Sequence, residues 1–324
     1  MAPVSLSEMS KPVVCIGAAF VDELFHTHEP ILPATTNPAS VSRTPGGVAR
    51  NIAHQLARLD VSVQLIAAFG NDPDGEWLRQ QCLDAGMRLD GALTIEGQTG
   101  RYTGILAPDG SLFTAFLTHS PVHHLTPEYL ARHEALLETA SHILGCANLL
   151  PESLSWLLAF SRRSGIPFII EPVSVPPARR MAELDLDGLY LVTPNEDELP
   201  ALCRGSWHST REQVDELLQR GIRKVWLHSG AKGSVIYSRE GELRLPATRI
   251  EVKDCTGAGD GSVAGYLLGK TLGRDDAESL RIAHTLSAEI LQVDGANVPD
   301  MDRSTLLSLT PRYYPDAAAA PHHA

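Results

Sequence analysis

Short apolar runs with a high content of β-branched residues recur along the chain, and segments with helical periodicity separate them. The apolar runs lie at residues 13–19, 63–69, 142–146, 167–170, 188–192 and 224–228. The helical patterns lie at residues 48–59, 76–85, 152–163 and 211–219, with a long pair of helices at 257–293. This alternation predicts an α/β fold, a doubly wound and mostly parallel sheet with helices on both faces. Ligands of such sheets bind at the carboxyl ends of the strands.

Two segments, at about residues 23–44 and 100–118, break this alternation because they have strand patterns and turns but no helix. The turn residues Pro108, Asp109 and Gly110 are typical of a hairpin. We expect the two segments to be insertions that pair as a small β-sheet, a lid over the strand ends that excludes water. No repeat or linker is evident, so residues 1–324 are predicted to form one domain, with a disordered tail at 315–324.

The segment 253–261 follows a strand-like stretch and opens an amphipathic helix. The amides of Gly257, Ala258 and Gly259 would lie at the helix N-terminus, where backbone N–H groups and the helix dipole attract anions such as phosphate. Asp260, in the first turn, is held in its anionic form by the same dipole and could accept a proton from a hydroxyl group. The alternative interpretation is an ordinary helix start, with glycines for packing and Asp260 as a first-turn charge.

The segment 44–53 also places glycines before a helix with an apolar face. Gly46 and Gly47 would let substrate hydroxyls approach the backbone, and Asn51 would offer a donor and an acceptor one turn later. Asn51 could equally be a packing residue inside the helix. The motif alone therefore predicts a binding site only weakly.

Asn195 and Glu198 lie where a strand ends and a helix begins. The spacing of these two residues is that of a capping box, which needs no chemistry. A carboxylate at this position could also hold a Mg²⁺ ion through its water shell, and the two interpretations are compatible.

Together, and in this order, these three segments resemble the ribokinase-like (phosphofructokinase-B type) carbohydrate kinases over residues 13–297. The two glycine signatures of that family are independent and lie about two hundred residues apart. The resemblance implies an enzyme that uses ATP and Mg²⁺ to phosphorylate a hydroxyl group. It implies that Asp260 is the catalytic base, that residues 257–259 form the anion hole, and that Asn195 and Glu198 lie near Mg²⁺ and phosphate.

The resemblance also implies contacts with the substrates. Asp22, together with Gly46, Gly47 and Asn51, would bind hydroxyl groups of the acceptor. Ser229, Gly230 and Gly233 would form the nucleotide loop. Asp254, Val252 and the turn Gly295-Ala296-Asn297 match the positions at which the family binds a monovalent cation, here K⁺.

Three residues depart from the family pattern. His228 stands where Ser or Thr is usual, which removes a hydroxyl contact to phosphate and leaves His228 as a loop residue. Cys255 replaces a Thr that contributes only backbone. Asp60 replaces a helix-closing Gly, a change that Asp tolerates because it can adopt the left-handed conformation.

Within the family, residues 45–51 (PGGVARN) together with 171–174 (EPVS) resemble the pseudouridine kinases, which phosphorylate the 5′-hydroxyl of the free C-nucleoside. Asn148 also matches the sequences of that group. The resemblance implies that Asn148, Thr103 and Glu171 bind the substrate. The group has a Lys soon after its Pro-Val-Ser, whereas this chain has Arg179 and Arg180.

Three alternatives to this function stay open at the level of sequence. The chain could be a kinase for ribose, fructose, adenosine or 2-keto-3-deoxygluconate. It could be a catalytically silent nucleoside or sugar sensor, although a sensor has no need of Asp260. A dinucleotide-binding oxidoreductase would use residues 257–261 as its fingerprint, but the downstream strand with a ribose-binding acid is missing.

Composition and charge argue against several classes of binding partner. With 27 Lys and Arg against 39 Asp and Glu the formal net charge is −12, which has the wrong sign for nucleic-acid binding. The 5 Cys are scattered without a zinc-binding spacing, so we interpret them as small buried side chains. No apolar run would span a membrane and no signal peptide is evident, so a cytoplasmic protein is expected. An exposed lid sheet could pair two copies as a homodimer.

Overall fold

The computed structural model describes residues 11–315 apart from 294, 296, 297 and 299, and its strands form three sheets. The strands are β1 (Val13–Ile16), β2 (Phe20–Thr27), β3 (Ala39–Gly46), β4 (Val63–Ile66), β5 (Ala68–Gly70), β6 (Leu93–Ile95), β7 (Arg101–Leu106), β8 (Leu112–Thr118), β9 (His142–Cys146), β10 (Phe168–Glu171), β11 (Leu191–Val192), β12 (Lys224–His228), β13 (Ser234–Ser238) and β14 (Gly241–Leu245). The main sheet has the order β14-β13-β12-β11-β10-β9-β1-β4, in which only β13 and β14 run antiparallel to their neighbours.

Helices cover both faces of the main sheet. They are α1 (Val48–Arg58), α2 (Pro73–Asp84), α3 (Pro127–Arg132), α4 (Glu134–Leu137), α5 (Pro151–Ser164), α6 (Val175–Met181), α7 (Leu199–Leu202), α8 (Thr210–Gln219), α9 (Ala258–Thr271), α10 (Asp276–Ile290) and α11 (Arg303–Tyr313). Buried side chains of α1, α2, α9, α10 and α11 form one core with the sheet, and those of α3 to α8 form the other. Successive residues of a strand therefore serve different cores: Val13 and Cys15 pack on the first, Val14 and Ile16 on the second.

Glycines set how closely α9 packs on α10. A Cβ atom at Gly265 would lie 2.7 Å from Cα of Ala283, and one at Gly269 would lie 2.7 Å from Cα of Ser279. A larger side chain at either position would push the two helices apart. This packing fixes the direction of α9, whose first turn carries Asp260.

The small sheet has the order β3-β2-β7-β8 and joins the two inserted segments, because β2 pairs in parallel with β7. The first inserted segment, expected at about residues 23–44, has strands from Phe20 to Gly46, and its residues 28–38 form no strand. Arg43 of β3 and Arg101 of β7 both form ion pairs with Asp74 at the start of α2, which attaches the small sheet to the main body. The outer strand β8 exposes four large apolar side chains, and the homodimer stays a prediction.

The fold class and the small sheet predicted from the sequence are confirmed. Several boundaries were wrong: the run 63–69 is two strands, β4 and β5, and the run 188–192 contributes only Leu191–Val192. Residues 246–255, expected to include a strand before the anion loop, have no regular structure. The single-domain assignment stays a prediction, and residues 316–324 of the predicted tail lie outside the described residues.

Within the described residues, no helix has the length and apolar character that crossing a bilayer would require.

Candidate active site

The N-terminus of α9 lies at the carboxyl-end side of the main sheet and opens into a cavity. Gly257 precedes the helix with φ of 75°, a left-handed conformation that favours glycine. A Cβ atom at Gly259 would meet nothing within 4 Å, so the space beside this turn is free. The first-turn amides of a 14-residue helix thus border an open volume, an arrangement that suits a phosphate group.

Asp260 is hydrogen-bonded to a residue 209 positions earlier in the chain, at the start of α1. The side-chain amide Nδ2 of Asn51 donates to Oδ2 of Asp260 at 2.7 Å. The carbonyl oxygen Oδ1 of Asn51 accepts a hydrogen bond from the guanidinium of Arg50, which also donates to the carbonyl oxygen of Pro45 at 2.6 Å. The two glycine-containing segments that the sequence singled out therefore meet at one carboxylate.

Asp22 of β2 lies directly beside the paired glycines. A Cβ atom at Gly46 would overlap the Asp22 carboxylate, and one at Gly47 would overlap the carbonyl oxygen of Ala18. Gly47 also has φ of 99° and immediately precedes α1. Both positions require glycine because backbone and carboxylate approach each other so closely.

Burial raises the pKa of Asp260 to about 6, against the lowering effects of the Asn51 hydrogen bond and the Arg50 charge; the nearby Asp22 charge raises it further. Burial also raises the pKa of Asp22 to about 6, again opposed by Arg50. The pKa of Glu171, at the end of β10, lies well above its usual range because of burial and the charges of Asp260 and Glu198. At neutral pH Asp22 and Asp260 are mainly ionised, whereas the surroundings of Glu171 favour its protonated form.

A cavity of about 820 Å³ extends from Asp260 along the ends of β10, β11 and β12. Nine of the residues proposed from the sequence line it: Glu171, Asn195, Glu198, Gly230, Gly233, Val252, Ala258, Gly259 and Asp260. The residues expected to bind the acceptor, Asp22, Gly46, Gly47 and Asn51, are not part of its lining. Asp260 thus lines the cavity and is also hydrogen-bonded to Asn51, in the first turns of α1.

Asn195 and Glu198 form the capping box that their spacing indicates. Oδ1 of Asn195 accepts from the amides of Asp197 and Glu198 at 2.9 Å, and the Glu198 carboxylate accepts from the Asn195 amide at 3.0 Å. Burial raises the pKa of Glu198, and a nearby cation would favour its ionised form. The Glu198 carboxyl group borders the cavity, and one carboxylate is enough for a Mg²⁺ ion that keeps most of its waters.

The loop after β12 turns tightly at Ser229, whose amide donates to the carbonyl oxygen of Gly233 at 2.9 Å. Gly233 has φ of 94°, and a Cβ atom there would overlap backbone of residues 245–247. Gly230 and Gly233 line the cavity, whereas Ser229 does not. Burial and the proximity of His284 lower the pKa of His228 to about 3, so its ring is neutral at physiological pH.

His284 of α10 and Tyr314 after α11 form part of the opposite wall of the cavity, and neither was predicted from the sequence. Nδ1 of His284 lies 3.2 Å from the Tyr314 hydroxyl, which donates to the carbonyl oxygen of Pro246 at 3.2 Å. Nε2 of His284 lies 2.7 Å from Oγ of Ser234. Because Tyr314 donates its proton to Pro246, Nδ1 of His284 is the protonated nitrogen and Nε2 accepts from Ser234. No local motif marks these residues, since they reach the cavity from separate elements.

Thr103 does not lie beside Asp22. In the small sheet Asp22 is opposite Tyr102, while Thr103 is opposite Glu23. Paired residues share a face and neighbours along a strand alternate, so Thr103 points away from the Asp22 face. Tyr102 shares the Asp22 face of the small sheet, and substrate binding by Thr103 stays a prediction.

Asn148, two residues after β9, keeps its predicted place near the strand ends. Its Oδ1 atom is buried and has no hydrogen-bond partner among the described residues. An unpaired buried acceptor is costly, which indicates that a ligand or water supplies the missing donor.

Asp254 and Gly295 of the predicted cation site are in contact, since the Asp254 carboxylate accepts from the Gly295 amide at 2.9 Å and from Thr256. Val252 is 51% exposed beside them. Ala296 and Asn297 lie outside the described residues, and K⁺ binding stays a prediction. Among described residues no cluster of three or more His, Cys, Asp or Glu side chains suits a metal ion.

Three of the cysteines, Cys15, Cys82 and Cys146, are buried as expected. Cys203 is only partly buried, and Cys255 is exposed on the anion loop, so the buried interpretation was wrong for Cys255.

Comparison with known proteins agrees with this geometry. The model of the family described as pfkB family carbohydrate kinase matches residues 10–303. The pseudouridine kinase of Escherichia coli (strain K12) is 31% identical over 303 residues, 92% of this chain and 96% of that protein. The ribokinase of Arabidopsis thaliana is 26% identical over 313 residues, 92% of this chain and 80% of that protein.

Among solved structures, Arabidopsis thaliana ribokinase complexed with ribose and ATP has a TM-score of 0.81 at 23% identity and covers 93% of this chain and 99% of its own. The chain therefore belongs to the pfkB family of carbohydrate kinases. It is an ATP-dependent phosphotransferase that acts on a hydroxyl group of a carbohydrate or nucleoside.

Proposed function

We propose that this kinase transfers the γ-phosphoryl group of ATP to the 5′-hydroxyl of pseudouridine. The observation that carries the proposal is the 31% identity to a pseudouridine kinase over almost the full length of both chains. The segments PGGVARN at 45–51 and EPVS at 171–174, which resemble that group, lie close to the shared carboxylate Asp260. Ribokinases match the chain as well, so the acceptor is the part of the proposal that most needs a test.

On the acceptor side, Asp22, Gly46, Gly47 and Asn51 would hold the ribose hydroxyls. The close approach of the Asp22 carboxylate to Gly46 leaves backbone and carboxylate side by side, which suits a vicinal diol. Asp260 would accept the proton of the 5′-hydroxyl as its oxygen attacks phosphorus. With a pKa of about 6 it is ionised at neutral pH and remains basic enough to act.

On the nucleotide side, Gly230 and Gly233 would contact the ATP phosphates, and the amides of residues 257–259 would stabilise the transferring group. The open space beside Gly259 and the left-handed Gly257 support this assignment. A bound Mg²⁺ would neutralise charge on the phosphates, with Glu198 and Asn195 holding its water shell. Preorganised amides contribute more to such a transfer than the base does.

The base of the nucleoside would be recognised by Asn148 and Glu171. Pseudouridine has a ring N1–H donor that uridine lacks, and Oδ1 of Asn148 is an acceptor without a partner among the described residues. Burial and the charges of Asp260 and Glu198 raise the pKa of Glu171 well above its usual range, which favours the protonated form that would donate to a carbonyl oxygen. An acceptor and a donor at neighbouring strand ends match the hydrogen-bonding edge of a pyrimidine dione.

The test is ATP consumption with pseudouridine, uridine, adenosine, ribose and fructose, measured side by side with and without excess chelator. We expect kcat/KM for pseudouridine to exceed that for uridine at least about tenfold, because an unpaired buried acceptor costs about 1 to 3 kcal/mol. Ribose should be poorer still, and chelation should abolish turnover. A better rate with uridine or ribose would refute the acceptor while leaving the kinase assignment intact.

A further inference from the structure

The side chain of Arg50 is the buried cation nearest to the proposed base. It lies in the first turn of α1, is only 4% exposed, and its Nε atom has no hydrogen-bond partner among the described residues. Burying a guanidinium is costly unless hydrogen bonds and opposite charges offset the loss of water. The surroundings of Arg50 therefore indicate what it does.

Two of its contacts form a directional chain. One nitrogen, Nη2, donates to the backbone carbonyl oxygen of Pro45 at 2.6 Å and also to Oδ1 of Asn51. Because Arg has only donors, the Asn51 atom facing it must be the carbonyl oxygen. The amide nitrogen of Asn51 is then turned toward Asp260, to which it donates at 2.7 Å. Without Arg50 the Asn51 amide could turn over and present its oxygen to the Asp260 carboxylate.

The charged neighbours of Arg50 come from three elements. Asp22 lies on β2, Asp260 on α9 and Cys82 on α2, and each interacts electrostatically with the guanidinium. Burial raises the pKa of Cys82 to about 11, so that thiol is neutral at physiological pH. Arg50 therefore faces two carboxylates, and it lowers the pKa of both against the effect of burial.

Two further groups on the main sheet face Asp260. Glu171 on β10 and Cys146 on β9 both interact electrostatically with Asp260, and burial raises the pKa of each well above its usual value. A carboxyl or a thiol group carries no positive charge in either protonation state, so neither replaces Arg50 as a source of positive charge. Among the groups that the structure describes around Asp260, the compensating cation is Arg50.

We propose that Arg50 is a positioning residue for phosphoryl transfer: it orients the Asn51 amide toward Asp260 and offsets the negative charges of Asp22 and Asp260. This inference rests on the proposed function for its kinetic consequence. The electrostatic part stands without it, because it concerns only the ionisation of two carboxylates in the free protein.

The first test is a ¹³C-carboxyl NMR titration of aspartate-labelled protein, with Asp22→Asn and Asp260→Asn spectra used for assignment. Removing the cation in Arg50→Met should move both titrations upward from about 6 by roughly one unit, the effect expected of a close opposite charge. Arg58→Met, in the last turn of the same helix, is the matched control and should leave both unchanged. Unchanged titrations in Arg50→Met would overturn the electrostatic role whether or not the protein is a kinase.

The second test is the pH dependence of kcat/KM for Arg50→Met and Arg50→Lys beside Asp260→Asn. In Arg50→Met the acid limb of the kcat/KM profile should shift to higher pH. The loss of kcat/KM relative to wild type should be about tenfold greater near pH 6 than above pH 8. Arg50→Lys keeps the charge but lacks the planar guanidinium that holds one nitrogen against both Pro45 and Asn51, so the acid limb of its pH profile should stay in place while kcat falls at all pH values.

These variants separate the possible failures. A uniform loss in Arg50→Met, with the acid limb unmoved, would mean a purely structural role and would overturn the proposal. Should Arg50→Met not fold, an Arg50→Lys enzyme with unchanged kcat would overturn the orienting role. Wild-type turnover in Asp260→Asn would instead remove the assigned base and leave the NMR result to decide on Arg50.

Discussion

The two sides of Asp260 are built differently. The acceptor side depends on side chains with charges and directed hydrogen bonds: Asp22, Arg50 and Asn51. The nucleotide side depends on backbone, with glycine turns at 230–233 and 257–259 and two neutral histidines in the cavity wall. A side chain that supplies charge cannot be exchanged, whereas a position outside the glycine turns that supplies only an amide tolerates many residues.

This difference explains where the chain departs from its family pattern. His228 and Cys255 both lie on the nucleotide side. The ring of His228 packs on Trp226, with centroids 4.3 Å apart, and carries no charge at physiological pH. Cys255 is exposed on a loop whose amides and Asp254 carboxylate set the local structure. On the acceptor side the motif residues 45–51 are intact.

The largest effect is expected from Asp260→Asn, which removes the proposed base while keeping nearly the same shape. Turnover should fall by about 10²- to 10⁴-fold, the usual contribution of a general base. Binding of ATP and nucleoside, measured by calorimetry, should persist. Turnover within about tenfold of wild type would show that Asp260 is not the base.

Acidification should also reduce activity strongly, because the carboxylates proposed to bind and activate the acceptor become protonated. Both Asp22 and Asp260 have pKa values raised to about 6, so each loses its charge as the pH falls through 6. Protonation of Asp260 alone lowers kcat/KM about tenfold per pH unit below that point, and the simultaneous protonation of Asp22 makes the fall steeper. His228 and His284 have pKa values lowered to about 3 and 4 by burial and stay neutral over this range. A pH profile whose midpoint moves in His228→Asn would contradict this division.

A smaller effect is expected from Asn148→Ala, which removes the unpaired acceptor. The preference for pseudouridine over uridine should drop by roughly five- to a hundredfold, because only pseudouridine presents the ring donor. The kcat/KM for uridine itself should change little. Equal losses for both nucleosides would mean that Asn148 does not read the base.

The smallest effect is expected from His228→Thr, which restores the side chain that the family pattern has. Because this position lies on the nucleotide side and carries no charge, KM for ATP and kcat should stay within about threefold of wild type. Steady-state kinetics with varied ATP would measure this. A loss of tenfold or more would mean that the His228 ring has a specific function.

The fold class could be predicted from the sequence because each buried strand and each helix has its own hydrophobic pattern, which can be recognised without knowing the segments it packs against. The sequence also located Asp260 and the glycine turns, since phosphate binding by amides requires glycine at fixed spacing. It could not show on which face of the small sheet Thr103 lies, because a one-residue difference in register moves a side chain to the other face.

Other features depend on contacts between distant segments. His284 and Tyr314 reach the cavity from α10 and from the end of α11, and no local pattern marks either. The sequence marked Arg50 only as part of a motif. Its role depends on the direction of hydrogen bonds to Asn51 and on the burial that brings Asp22 and Asp260 together.

The most direct test of the account is the ³¹P NMR spectrum of the product formed from ATP and pseudouridine. Transfer to the 5′-hydroxyl predicts ADP and an equal amount of a phosphomonoester whose phosphorus couples to the two C5′ protons as a triplet. The same reaction with Asp260→Asn should show neither product at comparable times. Inorganic phosphate as the only new signal, or a phosphomonoester coupled to a single proton at a secondary hydroxyl, would contradict the proposed chemistry.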